Sequence, residues 1–450
     1  MESRMINYIE DEPSLKKFNH EIKNAITLKD LVLAGLRLGI AVAVLLVEHM
    51  LIQRAELLAK NASNYFCPAC GSPLTSKGFL PRMMKTLIGA IHWKRQILRC
   101  PNGCKGSHAV PFDDELGITP YQKHSNELKQ MGCILAVFVP YNIASSLLKT
   151  ITGIEICPKT IWNWVQWAGR QVIEKLQAEL ENLKNGHKPE EENVAPETAL
   201  LPMLIGGDGV MVPFRPENGT AEGKIAWKEV KIGIISRIMK KTTNKGKEIS
   251  VTVRRRLTAV LGDISELQSR LWLTSLKEGI LSAETIVWLS DGGRGFWGLF
   301  SNTYSECAQG ILDFYHAAQN LWKGAKAMFD GRTKNAREWF EKARHNLRAG
   351  KSEKVLDEIE TNSKKLEGES GKTAKNLLNY LKEHKNHIEY DKYKESGLPI
   401  GSGMVESACK WLIQQRFKCV GMRWSEDGFN HLLHLRLLWV NGEYDVFFER

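Results

Sequence analysis

The sequence predicts a multidomain α+β/α chain: N-terminal helices, a small cysteine-knuckle module and more helices, then an α/β unit interrupted by helices. Three observations predict it. Two close cysteine pairs sit among turn residues near position 100. A series of short β-prone apolar runs follows position 200. A long charged stretch with helical periodicity separates those runs from a glycine-rich C-terminal motif.

The chain has 450 residues, enough for about two to four domains. With 43% hydrophobic and 25% charged residues it has the composition of a globular protein. Lys and Arg total 62 against 51 Asp and Glu, a net charge of +11 that suits a polyanionic partner. The start, MESRMINYIEDEPSLKKF, is too polar and acidic for a signal peptide.

Residues 1–60 read as an N-terminal helical region with apolar repeats through Leu31, Leu36, Ile40, Val44 and Leu51. Its most apolar stretch, 35–52, resembles a membrane span. Arg37 and Glu48 bracket only ten uncharged residues, however, where a span needs roughly 20. A buried or oligomerising helix is the expectation, with no membrane partner.

Residues 61–112 carry Cys67-x-x-Cys70 and, 29 residues on, Cys100-x-x-x-Cys104. Four thiolates on two knuckles are a tetrahedral zinc set, and the intervening segment, with its β-prone run 90–98, is long enough for a hairpin. This predicts a zinc ribbon holding one structural Zn²⁺. The alternative is four cysteines packed as small hydrophobes. His108 reads as a solvated histidine. Cys133, Cys157, Cys307, Cys409 and Cys419 lie in apolar contexts and read as core. Nine cysteines without a disulfide pattern fit a reducing compartment, hence a cytoplasmic, nucleoid-associated location.

Residues 113–184 read as a helix-turn-helix DNA-binding region. One amphipathic helix, 141–150, meets a turn at Thr152-Gly153, and Pro158 opens a second helix. Lys159, Thr160 and Asn163 are placed toward DNA; Ile161, Trp164 and Val165 toward the core. A plain helical hairpin is the competing reading. Residues 185–199, with two prolines and several acids, read as a linker.

Beyond the linker, strands are expected at 200–206, 228–238, 249–253, 285–289 and 310–314, with a lysine-rich turn at 240–247. Asp208 follows the first run in IGGDGV, and Asp291 follows the fourth in LSDGGRG. Glu406 lies in GLPIGSGMVESACK, in the first turns of an expected helix. Two aspartates at strand ends and a helical glutamate can hold two Mg²⁺ or Mn²⁺ ions about 4 Å apart and act on a phosphodiester. Asp313 and His316, one helical turn apart after the last apolar run, would lie near the same sheet edge. Around Glu406, Lys410, Arg416, Lys418 and Arg423 could meet phosphates, and Trp424 could stack on an unpaired base. Equally, these are a solvated basic face with a core tryptophan.

IGGDGV, LSDGG, DFYHAAQNLW and GLPIGSGMVESACK followed by GMRWS resemble bacterial insertion-sequence transposases of the DDE class, the ISKra-type family most of all. The resemblance runs from about residue 200 to the C-terminus. It implies a ribonuclease H-like core, 200–316 and 397–450, split by a helical insertion at 317–396. The spacing 406 − 291 = 115 residues leaves room for it. It further implies Asp208, Asp291 and Glu406 as catalytic metal ligands, with Asp313 and His316 accessory. The partners implied are double-stranded DNA, as element ends and target, and further copies of the chain. A transposon-derived DNA-binding regulator, and a nuclease without strand transfer, remain alternatives.

Overall fold

Two sheets of different construction organise the computed structural model, which describes residues 16–60, 65–216, 224–244, 246 and 248–449. The chain divides into two compact units, Met1–Trp164 and Val165–Arg450.

In the first unit, α1 (Lys16–Lys23) packs on α2 (Leu28–Lys60), a 33-residue helix. A hairpin follows. β1 (Thr75–Thr86) pairs antiparallel with β2 (Gly89–Arg99), and two-residue β3 (His108–Ala109) adds to β2's other edge. Met84, Ile91 and Trp93 of the hairpin bury with Ala55 of α2 and Phe112 of the short helix α3 (Pro111–Glu115). Of the two expectations for α2, burial in its own fold is not met. The helix is largely exposed, which leaves the oligomerising alternative open, and by length and composition it could cross a membrane. Glu48 argues against that. Midway along α2, its carboxylate accepts the backbone N–H of His92 at 2.7 Å, tying the helix to a polar hairpin.

Two helices, α4 (Asn126–Phe138) and α5 (Tyr141–Thr152), and the first turns of a third, α6 (Pro158–Lys184), complete the unit; from Val165 on, α6 belongs to the second. Gly153 caps α5 at φ +74°, a conformation glycine adopts without strain, and its N–H returns to Lys149 O. Pro158 opens α6 at the position where its missing N–H costs nothing. Between α4 and α6, a methyl on Gly132 would lie 2.7 Å from the Trp164 ring, so only glycine fits there.

The second unit is built on a five-stranded sheet of order β6-β5-β4-β7-β8. β4 (Met203–Phe214), β5 (Ala226–Thr242) and β6 (Glu248–Val260) form an antiparallel meander. β7 (Ile286–Ser290) and β8 (Gln309–Leu312) continue it parallel to β4, each reached by a helical crossover: α8 (Ile264–Lys277) before β7 and α9 (Arg294–Thr303) before β8. The strand register differs from the sequence expectation chiefly in β4. The glycines there do not end the strand, so Asp208 lies within it.

Five helices then separate β8 from the C-terminal motif: α10 (Phe314–Phe329), α11 (Lys334–Arg348), α12 (Ser352–Ser363), α13 (Gly368–Glu383) and α14 (Tyr390–Glu395). They share one hydrophobic core with the sheet, through residues such as Trp288, Phe314 and Leu381. Next come α15 (Gly403–Ala408), a π-helical turn (Cys409–Gln414) running into α16 (Gln415–Phe417), then α17 (Glu426–Asn441) and α18 (Tyr444–Phe448).

The expected linker at 185–199 is not a free tether. Glu192 donates its N–H to Lys277 O and pairs with Arg254 and Arg256 on β6, and a short helix, α7 (Pro196–Ala199), leads into β4. The proline- and acid-rich composition that signalled a linker is used here for docking. In the lysine-rich turn, Lys245 and Lys247 lie outside the described residues.

Candidate functional site

The last paired residues of three adjacent parallel strands are Gly207 on β4, Ser290 on β7 and Leu312 on β8. In each strand the next residue is an aspartate: Asp208, Asp291 and Asp313. Three acids separated widely in sequence are thus brought to one level of the sheet. The register itself does this, because parallel neighbours advance together.

Alternation along β4 sends Gly206 and Asp208 to one face and Gly207 to the other. A methyl at Gly206 would meet Val405 of α15 at 2.9 Å; one at Gly207 would meet the Phe296 ring of α9 at 2.6 Å. The two glycines let helices close on both faces directly beside Asp208. On the α15 face, the Cys409 thiol donates to Asp208 Oδ2 at 3.5 Å, and Asp208 Oδ1 accepts the Gly209 N–H at 2.7 Å. Burial pushes the Asp208 carboxyl above its usual range, and the charge of Asp291 adds to this. Burial and the Asp208 carboxylate likewise raise the Cys409 thiol.

Asp291 opens the turn into α9. Its Oδ1 accepts the Gly293 N–H at 2.9 Å and its backbone carbonyl accepts the Trp297 indole at 2.6 Å. The helices after β8 brace this turn. A methyl on Gly292 would meet the Tyr380 ring at 2.0 Å, and His384 and His387 pack on Trp297 with centroids 4.7 and 4.5 Å away.

Asp313 differs from its two neighbours. It is 1% exposed, and both oxygens are committed. Oδ1 accepts the His316 N–H at 2.7 Å, capping α10, while Oδ2 accepts the Ser402 N–H from the turn preceding α15. Burial alone would raise this carboxyl; hydrogen bonds from His316 and Ser402 outweigh it and hold it at about 2. The same turn is fixed from the other side by Phe314 N–H to Ile400 O at 2.8 Å. Glu406, one turn into α15, is half-buried, with Lys410 4.0 Å away. The His316 imidazole lies 3.4 Å from Asp313. Asp313 raises its pKa, and the charges of Asp291 and Glu406 add to the effect.

Among the described residues, no lysine or arginine pairs with Asp208 or Asp291. Carboxylates at adjacent strand ends without a lysine or arginine partner are a donor set that suits hard divalent cations. The acids do not converge on a single point. The cysteines are the one group among the described residues whose ligand atoms all lie within 4.8 Å of one another.

That group is Cys67, Cys70, Cys100 and Cys104. The Cys70 and Cys100 sulfurs are 3.5 Å apart, close to the roughly 3.8 Å between thiolates around tetrahedral zinc. Gly71, Gly103 and Gly106 adopt positive φ in the two knuckles, as their tight turns require. Hydrogen bonding from Ser72 lowers the Cys70 thiol to about 6, and the neighbouring sulfurs push Cys104 up to about 12. The residues fit a structural zinc. His108 is exposed on β3, outside the cluster.

On α6, Lys159 and Asn163 are exposed and Thr160 is half-buried, while Ile161 and Trp164 are buried. The Lys159 ammonium lies 3.4 Å from the Trp162 ring centroid. Around Glu406, Lys410, Lys418 and Arg423 are exposed. Arg416 and Trp424 are not, at 1% and 9%. The Trp424 indole donates to Phe417 O at 3.0 Å and packs with Phe417 and Phe429. Trp424 is therefore core, not a stacking platform, and Arg416 cannot reach a phosphate. Their neighbours in sequence are basic, which hid the burial. Cys133 and Cys409 are buried as expected, but Cys157, Cys307 and Cys419 are exposed. Sequence reasoning missed Cys409 beside Asp208, Ser402 as partner of Asp313, and Tyr380 against Gly292. No spacing rule links residues so far apart.

No family model matches the chain, and no curated protein matches it. Among solved structures, it is similar to the Drosophila P element transposase strand transfer complex at 10% identity, with 74% of this chain and 95% of that one covered and a TM-score of 0.33.

Proposed function

We propose that the chain is a DNA transposase of the DDE class, with a ribonuclease H-like catalytic unit and Asp208, Asp291 and Glu406 as its metal-binding acids. The observation that carries the reading is the shared level of Asp208 and Asp291 on adjacent parallel strands, with the segment that carries Glu406 packed on the Asp208 face of β4 through Val405 and Cys409. An antiparallel three-strand meander extended by two parallel strands, the order found here, is the frame that fold requires. The bacterial ISKra-type resemblance of the motifs around these acids supports it further.

Two divalent ions held by these acids would stabilise the attacking and leaving oxygens of a phosphodiester in line. The chain's own groups do the rest. Asp208 and Asp291 would concentrate negative charge at a partly desolvated strand end, which favours cation capture. Asp313 is an anchor, fixing the turn that carries Glu406. His316, more basic than a free imidazole and facing the acids, can donate a hydrogen bond to a phosphate or a proton to a departing oxygen. Lys410, Lys418 and Arg423 offer phosphate contacts, and the exposed face of α6 (Lys159, Thr160, Asn163) offers base contacts in a major groove.

The test is cleavage and joining of a duplex that carries the element's ends, in Mg²⁺ or Mn²⁺. The expected result is nicking followed by transfer of the new 3′-hydroxyl to a second duplex. Binding without cutting would make the chain a regulator; cutting without joining would make it a nuclease.

A further inference from the structure

The outer face of α2 carries large apolar side chains that its own fold leaves uncovered. Val32, Leu36, Leu46, Met50 and Leu57 are each more than half exposed. With Gly39, Ala43 and Gln53 they fall in strict alternation of four and three residues, the spacing of a coiled-coil seam. Diametrically opposite runs a second column at seven-residue intervals: Ala34, Ala41, Glu48 and Ala55. That column faces inward. Ala34 and Ala55 are buried and Glu48 bonds to His92. Val47, Leu51 and Leu58 flank that column and pack against the hairpin cluster, while the large residues of the outer stripe stay uncovered.

From this we infer that α2 pairs with α2 of a second copy of the chain, forming a homodimer through a heptad seam. No residue of the stripe is charged, so two identical faces meet without repulsion. From Val32 to Leu57 the stripe is about 37 Å long at 1.5 Å per residue. Covering half of a helix about 10 Å across over that length buries on the order of 600 Å² per copy, about 1,200 Å² in all, which reaches the range of stable interfaces. Gln53 is the single amide in the seam, and in a parallel pair it meets its own counterpart, as polar seam residues that fix register do. A lipid bilayer is disfavoured as occupant because Glu48 and the hairpin bound to it would be carried to the helix's membrane depth. The inference is independent of the proposed chemistry.

Sedimentation of the full chain at micromolar concentration tests it. The parent should run as a dimer. Leu46→Glu with Met50→Glu should run as a monomer, its dissociation constant raised on the order of 100-fold or more. Both residues are exposed in the single chain, so its helical circular dichroism and melting should not change. A monomeric parent, or a double variant that dimerises as the parent does, overturns the inference. A monomeric parent that floats with phosphatidylcholine vesicles would assign the stripe to lipid. A monomeric parent that dimerises once residues 1–15 are removed would assign it to that segment.

Discussion

The buried carboxylate of Asp313 accepts the backbone N–H of Ser402, 89 residues away along the chain. This contact joins the end of β8 to the turn that launches α15, and thus sets where Glu406 stands. Asp313→Asn keeps the shape but loses the charge that makes the bond strong, so a loss of about 1–3 kcal/mol in stability is expected. The sign of its pH dependence follows. The folded carboxyl sits at about 2, below the unfolded value of about 3.9. Its contribution is therefore complete above about pH 4 and is lost as pH falls toward 2. Melting of the parent should steepen its decline across that window; melting of Asp313→Asn should not share the extra slope.

Asp208→Asn and Glu406→Gln should leave the fold intact and abolish metal-dependent cleavage. Losing one anionic ligand removes several kcal/mol of transition-state stabilisation, on the order of a thousandfold in rate. End-labelled duplex cleavage measures this. Full activity in either variant would show that other acids hold the metal.

Zinc should be present at one per chain in the purified protein, by elemental analysis. Cys100→Ser, or strong chelation, should open the hairpin to protease between residues 67 and 104. An intact hairpin in metal-free protein would mean that the four thiols pack without an ion.

Lys159→Ala and Asn163→Ala should each weaken binding to the recognised DNA by roughly 1–3 kcal/mol if they read bases, and parental affinity should fall steeply with salt. Trp424→Ala should behave differently. It removes a core aromatic, so it should cost about 3–5 kcal/mol of stability by denaturant titration and should show no DNA-specific defect of its own.

The placement of the three aspartates was legible in local sequence, because each follows or lies within a short apolar strand, and Glu406 stands in the helix expected for it. The glycines in IGGDGV were read as a strand end. They are close-approach positions inside β4, and only the helices on its two faces reveal that. Asp313 reads as a possible ligand from its spacing to His316. Its commitment to Ser402 depends on a fold-level contact with no sequence signal. Burial of Arg416 and Trp424, docking of Glu192 on β6 and exposure of α2 are likewise decided by what packs against each element. Composition reports what a segment tolerates; the neighbour across the interface decides which side is wet.

The acid set is spread over a great length of chain. Asp208 is synthesised 198 residues before Glu406, and the helices that brace Asp291 through Tyr380 lie between them. During translation, the meander can form while α15 does not yet exist. Whatever chemistry these carboxylates perform, a nascent chain or a product truncated before Ser402 holds two acids without the third. On the proposed assignment of Asp208, Asp291 and Glu406, the order of synthesis would work as a safety catch, keeping the chain inert until its last segment has been made and folded back onto the sheet.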